Sequence, residues 1–133
     1  MFVGHLGVAF VGKRLEPSLS LGWFVAAAMA LDLLWPLLLL AGVERVRVEP
    51  GAMAFTPLVF EWYPWSHSLL AAGVWAALLA GAARWRRASS RAAWLIALLV
   101  VSHWALDAVT HAPDLPLWPG PSPRLGLGLW RSI

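Results

Sequence analysis

Residues 21–43 read LGWFVAAAMALDLLWPLLLLAGV, an apolar run broken by a single charge, Asp32. At about 1.5 Å per residue it is long enough to cross a hydrocarbon core of roughly 30 Å, so it predicts a transmembrane helix. Near the middle of such a helix a carboxylate costs roughly 2.5–3.5 kcal/mol on insertion scales, so Asp32 requires neutralisation or coordination. Pro36 lies four residues further on and removes the hydrogen bond that would reach the Asp32 carbonyl, which predicts a loosened helix there.

Outward from this run the composition agrees. The 133 residues are 60% hydrophobic and 13% charged, about half the charged share of an ordinary soluble domain. That balance argues against both a water-soluble globule and a disordered chain, and the length allows one domain, residues 1–133. Further apolar runs at 67–83 and 92–110 predict two more spans near the lower length limit. The opening run, Phe2 to Gly12, is too short to cross and has neither the leading charge nor the cleavage region of a signal peptide, so it predicts a half-length helix packed on the others. The expected fold is all-α: a small membrane bundle of three transmembrane helices plus that short N-terminal helix. The intervening 44–66 segment suits either a short hairpin or an interfacial loop.

The net charge of +3 comes from ten Lys and Arg. They sit in short clusters between apolar runs, as topology signals do, and no nucleic-acid partner is expected. Lys13 and Arg14 form one cluster; Arg84, Arg86, Arg87 and Arg91 form the other. The positive-inside rule places both links, 13–14 and 84–91, in the cytoplasm, with 44–66 and the C-terminal tail on the far side. Trp23, Trp62, Trp65, Trp85 and Trp118 fall at the expected ends of spans, where indoles anchor at headgroup level. With no cysteine, disulfides, thiolate metal sites and cysteine nucleophiles are excluded.

Few polar side chains remain. His103, Asp107 and His111 in SHWALDAVTH are spaced i, i+4, i+8, so on a continuous helix they share one face, and imidazole with carboxylate is the usual nitrogen and oxygen ligand set of zinc. Interhelical hydrogen bonding is the bland alternative for the same row. His67 sits between Ser66 and Ser68, with Ser66 a candidate helix cap, and His5 lies between Gly4 and Gly7, where backbones approach closely. Each apolar segment thus contributes a His or Asp, and intramembrane ionisable groups usually face a common interior.

The ordered set GHL at Gly4, Asp32, YPWSHSL at Tyr63 to Leu69, the HxxxDxxxH row and LPLWPG at Leu115 to Gly120 resembles the small membrane-bound, metal-dependent hydrolases known as LexA-regulated inner-membrane proteins. That family is in turn similar to the zinc-dependent phospholipase C and single-strand nuclease fold. The resemblance implies a bacterial inner-membrane location and a metal centre ligated by His5, Asp32, His67, His103, Asp107 and His111. Asp107 would bridge, and Asp107 with Asp32 would carry the catalytic role. Ser66 and Ser68 would be outer donors orienting the ligands. The soluble enzymes carry a further His and acidic pair downstream, whereas after His111 this chain has only Asp114. One or two zinc ions, or another divalent metal, therefore fit better than three, with Asp114 an extra ligand, a partner of His111 or a turn residue. A metal-activated water would then attack a phosphoester, with lipid headgroups the nearest such substrates. Two other classes fit the same residues: a proton or metal-ion transporter, which at this size would need an oligomer to form a path, and a non-catalytic membrane scaffold.

Overall fold

The computed structural model describes residues 2–52 and 56–131, with side chains outside Phe2 and Arg131. Among the described residues the chain forms six α-helices, two small antiparallel sheets and a terminal 3-10 turn: α1 (Phe2–Leu15), α2 (Leu21–Ala28), α3 (Ala30–Leu40), β1 (Arg45–Val48), β2 (Leu58–Trp62), α4 (Pro64–His67), α5 (Leu69–Trp85), α6 (Ser90–Thr110), β3 (Leu115–Pro116), β4 (Arg124–Leu125) and Leu129–Arg131. This corrects the all-α expectation of three spanning helices. Among the described residues only α6, with a mean hydropathy of 1.8 over its apolar window, is by itself long and apolar enough to cross a membrane.

Each shortfall has a local cause. The 21–43 run breaks at Met29, whose backbone leaves the helical region (φ −103°, ψ 5°), and its halves diverge by 56°. The break falls in the run Ala26–Ala30, where only Met29 has a bulky side chain, seven residues before Pro36. Pro36 itself sits inside α3 without ending it. The second run loses its beginning because Ser68 is extended (ψ 152°) and caps α5 through a hydrogen bond from the Ala71 amide at 3.1 Å. The cap is thus Ser68 and not Ser66, and the 17 residues of α5 span only about 25 Å. The 44–66 segment resolves into the hairpin, β1 pairing with β2 and Val46 opposite Phe60. Arg47 crosses it to Glu61 at 3.0 Å. The two-residue strands β3 and β4 were not foreseen at all.

Helices α5 and α6 pack side by side through small residues, with Ala72, Ala76, Ala83, Ala92, Ile96 and Val100 in the core. Helix α1 lies across α2 and α6 so closely that a Cβ added at Gly12 would come within 2.9 Å of Phe24 and 3.1 Å of Leu99. Glu16, at the end of α1, meets Ser89 at 3.5 Å and Arg91 at 3.9 Å, so the two basic links share one end of the molecule. At the other end the C-terminal tail folds under α6: the Leu127 amide donates to Ala108 O at 2.8 Å and the Gly128 amide to His111 O at 2.6 Å. A side chain at Gly126 would fall on the Ala112 carbonyl. The helix flanks carry exposed Leu37, Leu40, Val74, Leu78, Trp94 and Leu98, an unusually apolar exterior.

Candidate metal centre

Three helices deliver one acidic or imidazole group each to a common interior, and α6 delivers two. His5 of α1, His67 of α4, and His103 and Asp107 of α6 are buried; Asp32 of α3 is mostly so. The bend at Met29 explains how Asp32 arrives. It opens a new helix N-terminus, and Asp32 lies in that first turn, where the helix dipole favours a carboxylate. His103 and Asp107 are one turn apart on the same face, as their i, i+4 spacing requires.

The proton positions can be read from the outer hydrogen bonds. His103 Nδ1 lies 2.7 Å from the carbonyl of Ala28, beside the same bend. A carbonyl only accepts, so Nδ1 carries a proton, and when the ring is neutral Nε2 holds a lone pair. His67 Nδ1 lies 2.7 Å from Ser66 Oγ, which donates its own proton to Glu44 Oε2, also at 2.7 Å. Ser66 has no second proton, so His67 Nδ1 donates and its Nε2 is likewise a lone pair. Glu44 Oε1 accepts the Ser66 amide at 2.7 Å, which fixes the arrangement at both oxygens.

Both lone pairs point at carboxylates. His103 Nε2 is 3.1 Å from Asp107 Oδ2 and 3.6 Å from Asp32 Oδ1; His67 Nε2 is 3.6 Å from Asp32 Oδ1 and 3.8 Å from Asp107 Oδ2. His5 Nε2 approaches Asp107 Oδ1 at 3.2 Å. The atoms of His5, His103 and Asp107, and those of Asp32, His67 and His103, lie within 4.8 Å of one another, two triads sharing His103. Tetrahedral zinc with bonds near 2.0–2.1 Å separates its ligand atoms by roughly 3.3–3.5 Å, close to these spacings. Acceptors facing acceptors in a buried site repel unless positive charge sits between them. A proton on His103 Nε2 would supply it, and the stacking of His5 on His103 at 3.7 Å, with planes 7° apart, opposes only the charging of both rings at once. A bound cation is another group that would supply it.

The remaining sequence candidates fall nearby in other roles. His111 lies just past the end of α6, in extended backbone (ψ 152°), so the helical row stops before it. Its Nδ1 meets Asp114 Oδ1 at 3.2 Å, outside both triads. The Tyr63 hydroxyl donates to the same Asp114 oxygen at 2.7 Å, and burial together with that carboxylate pushes the phenol pKa well above 10. Asp114 is therefore a partner of His111 and Tyr63. Ser66 orients His67, while Ser68 serves as the α5 cap. Glu44 is the residue that sequence reasoning missed. It follows the helix-ending Gly42 (φ +71°) at the start of a segment that suits either a hairpin or an interfacial loop, and nothing in its neighbours marks it as buried.

The centre opens on a cavity of about 470 Å³. Asp32, His67, Asp107 and His111 form its polar end; Trp35, Phe60 and Trp130 are among its apolar walls.

No protein-family model, curated protein or solved structure matches the chain. The site's chemistry therefore rests on its own geometry.

Proposed function

We propose that the chain is a membrane-embedded, metal-dependent hydrolase whose ion is held by Asp32, His67, His103 and Asp107, with His5 adjoining. The observation that carries this reading is the convergence of two imidazole lone pairs on two carboxylates, each tautomer held from outside, at the polar end of a cavity with apolar walls. A zinc ion there would supply Lewis acidity and a water acidic enough to attack a phosphoester near neutral pH. The protein groups do the rest. Ala28 and Ser66 keep the nitrogens aimed inward, the buried walls exclude bulk water, and the partly exposed Asp32 stands on the cavity side where a substrate would enter. Zinc is favoured among divalent metals by the mixed imidazole and carboxylate set.

Membrane embedding is supported by α6, by the apolar exterior of the other helices and by the gathering of both basic links at one end, opposite the cavity. Lipid headgroups are then the phosphoesters nearest the opening. The test is metal analysis of protein purified without chelator, joined to a screen of phosphoester and phospholipid hydrolysis. Near-stoichiometric transition metal and a turnover abolished by Asp107→Asn are expected. Metal-free protein, or turnover unchanged in that variant, would overturn the reading.

A further inference from the structure

Glu44 is buried, only 2% exposed, and its side chain bonds to Ser66 on the outer side of His67. Both of its oxygens are committed to Ser66, one to the amide and one to the hydroxyl, each at 2.7 Å. The backbone that delivers it is the C-terminal turn of α3, where Gly42 takes φ +71° and the Val43 and Glu44 amides both bond to Leu38 O at 2.9 and 3.2 Å. One helix thus supplies Asp32 to the centre from its first turn and, from beyond its last, a carboxylate to the outside of His67.

We propose that Glu44 is a positioning residue that sets the tautomer of His67 through Ser66, and with it the affinity of the centre for its metal. The proposal rests on the metal reading for its second half only. The logic is a count of protons along a chain of three groups. Glu44 accepts from the Ser66 hydroxyl, so that oxygen must accept from His67 Nδ1–H, and the lone pair is left on Nε2, facing Asp32 and Asp107. Glutamine at position 44 has the same shape but the opposite polarity at one end. Its carbonyl would take the Ser66 amide, its amide group would donate to Ser66 Oγ, and the serine proton would turn to His67 Nδ1 at 2.7 Å, the nearer acceptor beside the Tyr63 carbonyl at 3.4 Å. The imidazole proton would then lie on Nε2, and the ring would cease to be a ligand.

The experiment is nitrogen-15 NMR of the histidine rings in metal-free protein, at a pH where the rings are neutral, together with zinc affinity by chelator competition. In the wild-type chain His67 is expected as the Nδ1–H tautomer and in Glu44→Gln as the Nε2–H tautomer, with zinc affinity lower by about 10–100-fold, the range that removal of such outer partners produces. Ser66→Ala is expected to weaken zinc to a similar degree without inverting the ring. A wild-type His67 found as Nε2–H, or an unchanged tautomer in folded Glu44→Gln, overturns the proposal. The wild-type spectrum decides even if the glutamine variant does not fold. An inverted tautomer in a protein that takes up no zinc would sustain the hold of Glu44 on His67 while overturning the metal reading, so the two failures are distinguishable.

Discussion

His103 donates from Nδ1 to the carbonyl of Ala28, 2.7 Å away and 75 positions earlier in the chain, beside the bend that separates α2 from α3. That one bond joins the break in the apolar run to the orientation of the shared ligand of both triads.

If the centre holds the proposed cation, its removal leaves two carboxylates beside the Nε2 atoms of His67 and His103 in a buried space. Chelation of detergent-solubilised protein should lower Tm by several degrees, since a ligand present at a hundredfold over its Kd stabilises by about 2.7 kcal/mol. Asp32→Asn and Asp107→Asn should each abolish that shift, because each removes one of the carboxylates that would hold the ion. Thermal melts followed by circular dichroism, with and without chelator, give both numbers. An identical Tm in the two conditions would mean that protons on the rings balance the site.

Tyr63 is the only tyrosine. Its phenol is held neutral by burial first and by the Asp114 carboxylate second, so its folded pKa lies above the unfolded value near 10. The sign follows from linkage: the folded state is favoured fully below pH 10 and loses that contribution as the pH rises further. Tyrosinate absorbance in an alkaline titration should therefore appear together with loss of helical circular dichroism, and Asp114→Asn should bring its onset to lower pH. A free titration near pH 10 in folded protein would contradict the buried contact.

Gly126→Ala places a methyl group against the Ala112 carbonyl, a backbone atom that cannot swing aside. The two tail hydrogen bonds to Ala108 and His111 should be lost with it, at about 1–3 kcal/mol in all. Limited proteolysis should then cut the variant beyond Ala112 faster than the wild type. Equal protection would show that the tail does not depend on this contact.

Leu98 is exposed near the middle of α6. Leu98→Arg should reduce the carbonate-resistant membrane fraction, since a cation at that depth costs roughly 2.5–3.5 kcal/mol on insertion scales. Retention equal to wild type would remove α6 as the spanning element.

The parts of the site that were legible in advance are those fixed by spacing along one helix. His103 and Asp107 share a face whatever surrounds them, and an Asp32 carboxylate in an apolar run had to find partners. What was not legible depends on pairings across the chain. A backbone break at Met29 and the cap at Ser68 each shorten an apolar run that composition alone reads as continuous. The position of His111 depends on where α6 ends, which its own helical spacing could not reveal. Glu44 had no signal of its own, because its partner Ser66 lies 22 positions away.

Val3 and Trp130 line the same cavity, so residues near both ends of the sequence stand beside the centre. A polyhistidine purification tag on either end would place a flexible chelating segment within reach of the opening. Metal stoichiometry measured on such a fusion would count ions held by the tag, and its imidazoles could compete for the protein's own site. The assays above therefore call for untagged protein, or for a tag without metal ligands.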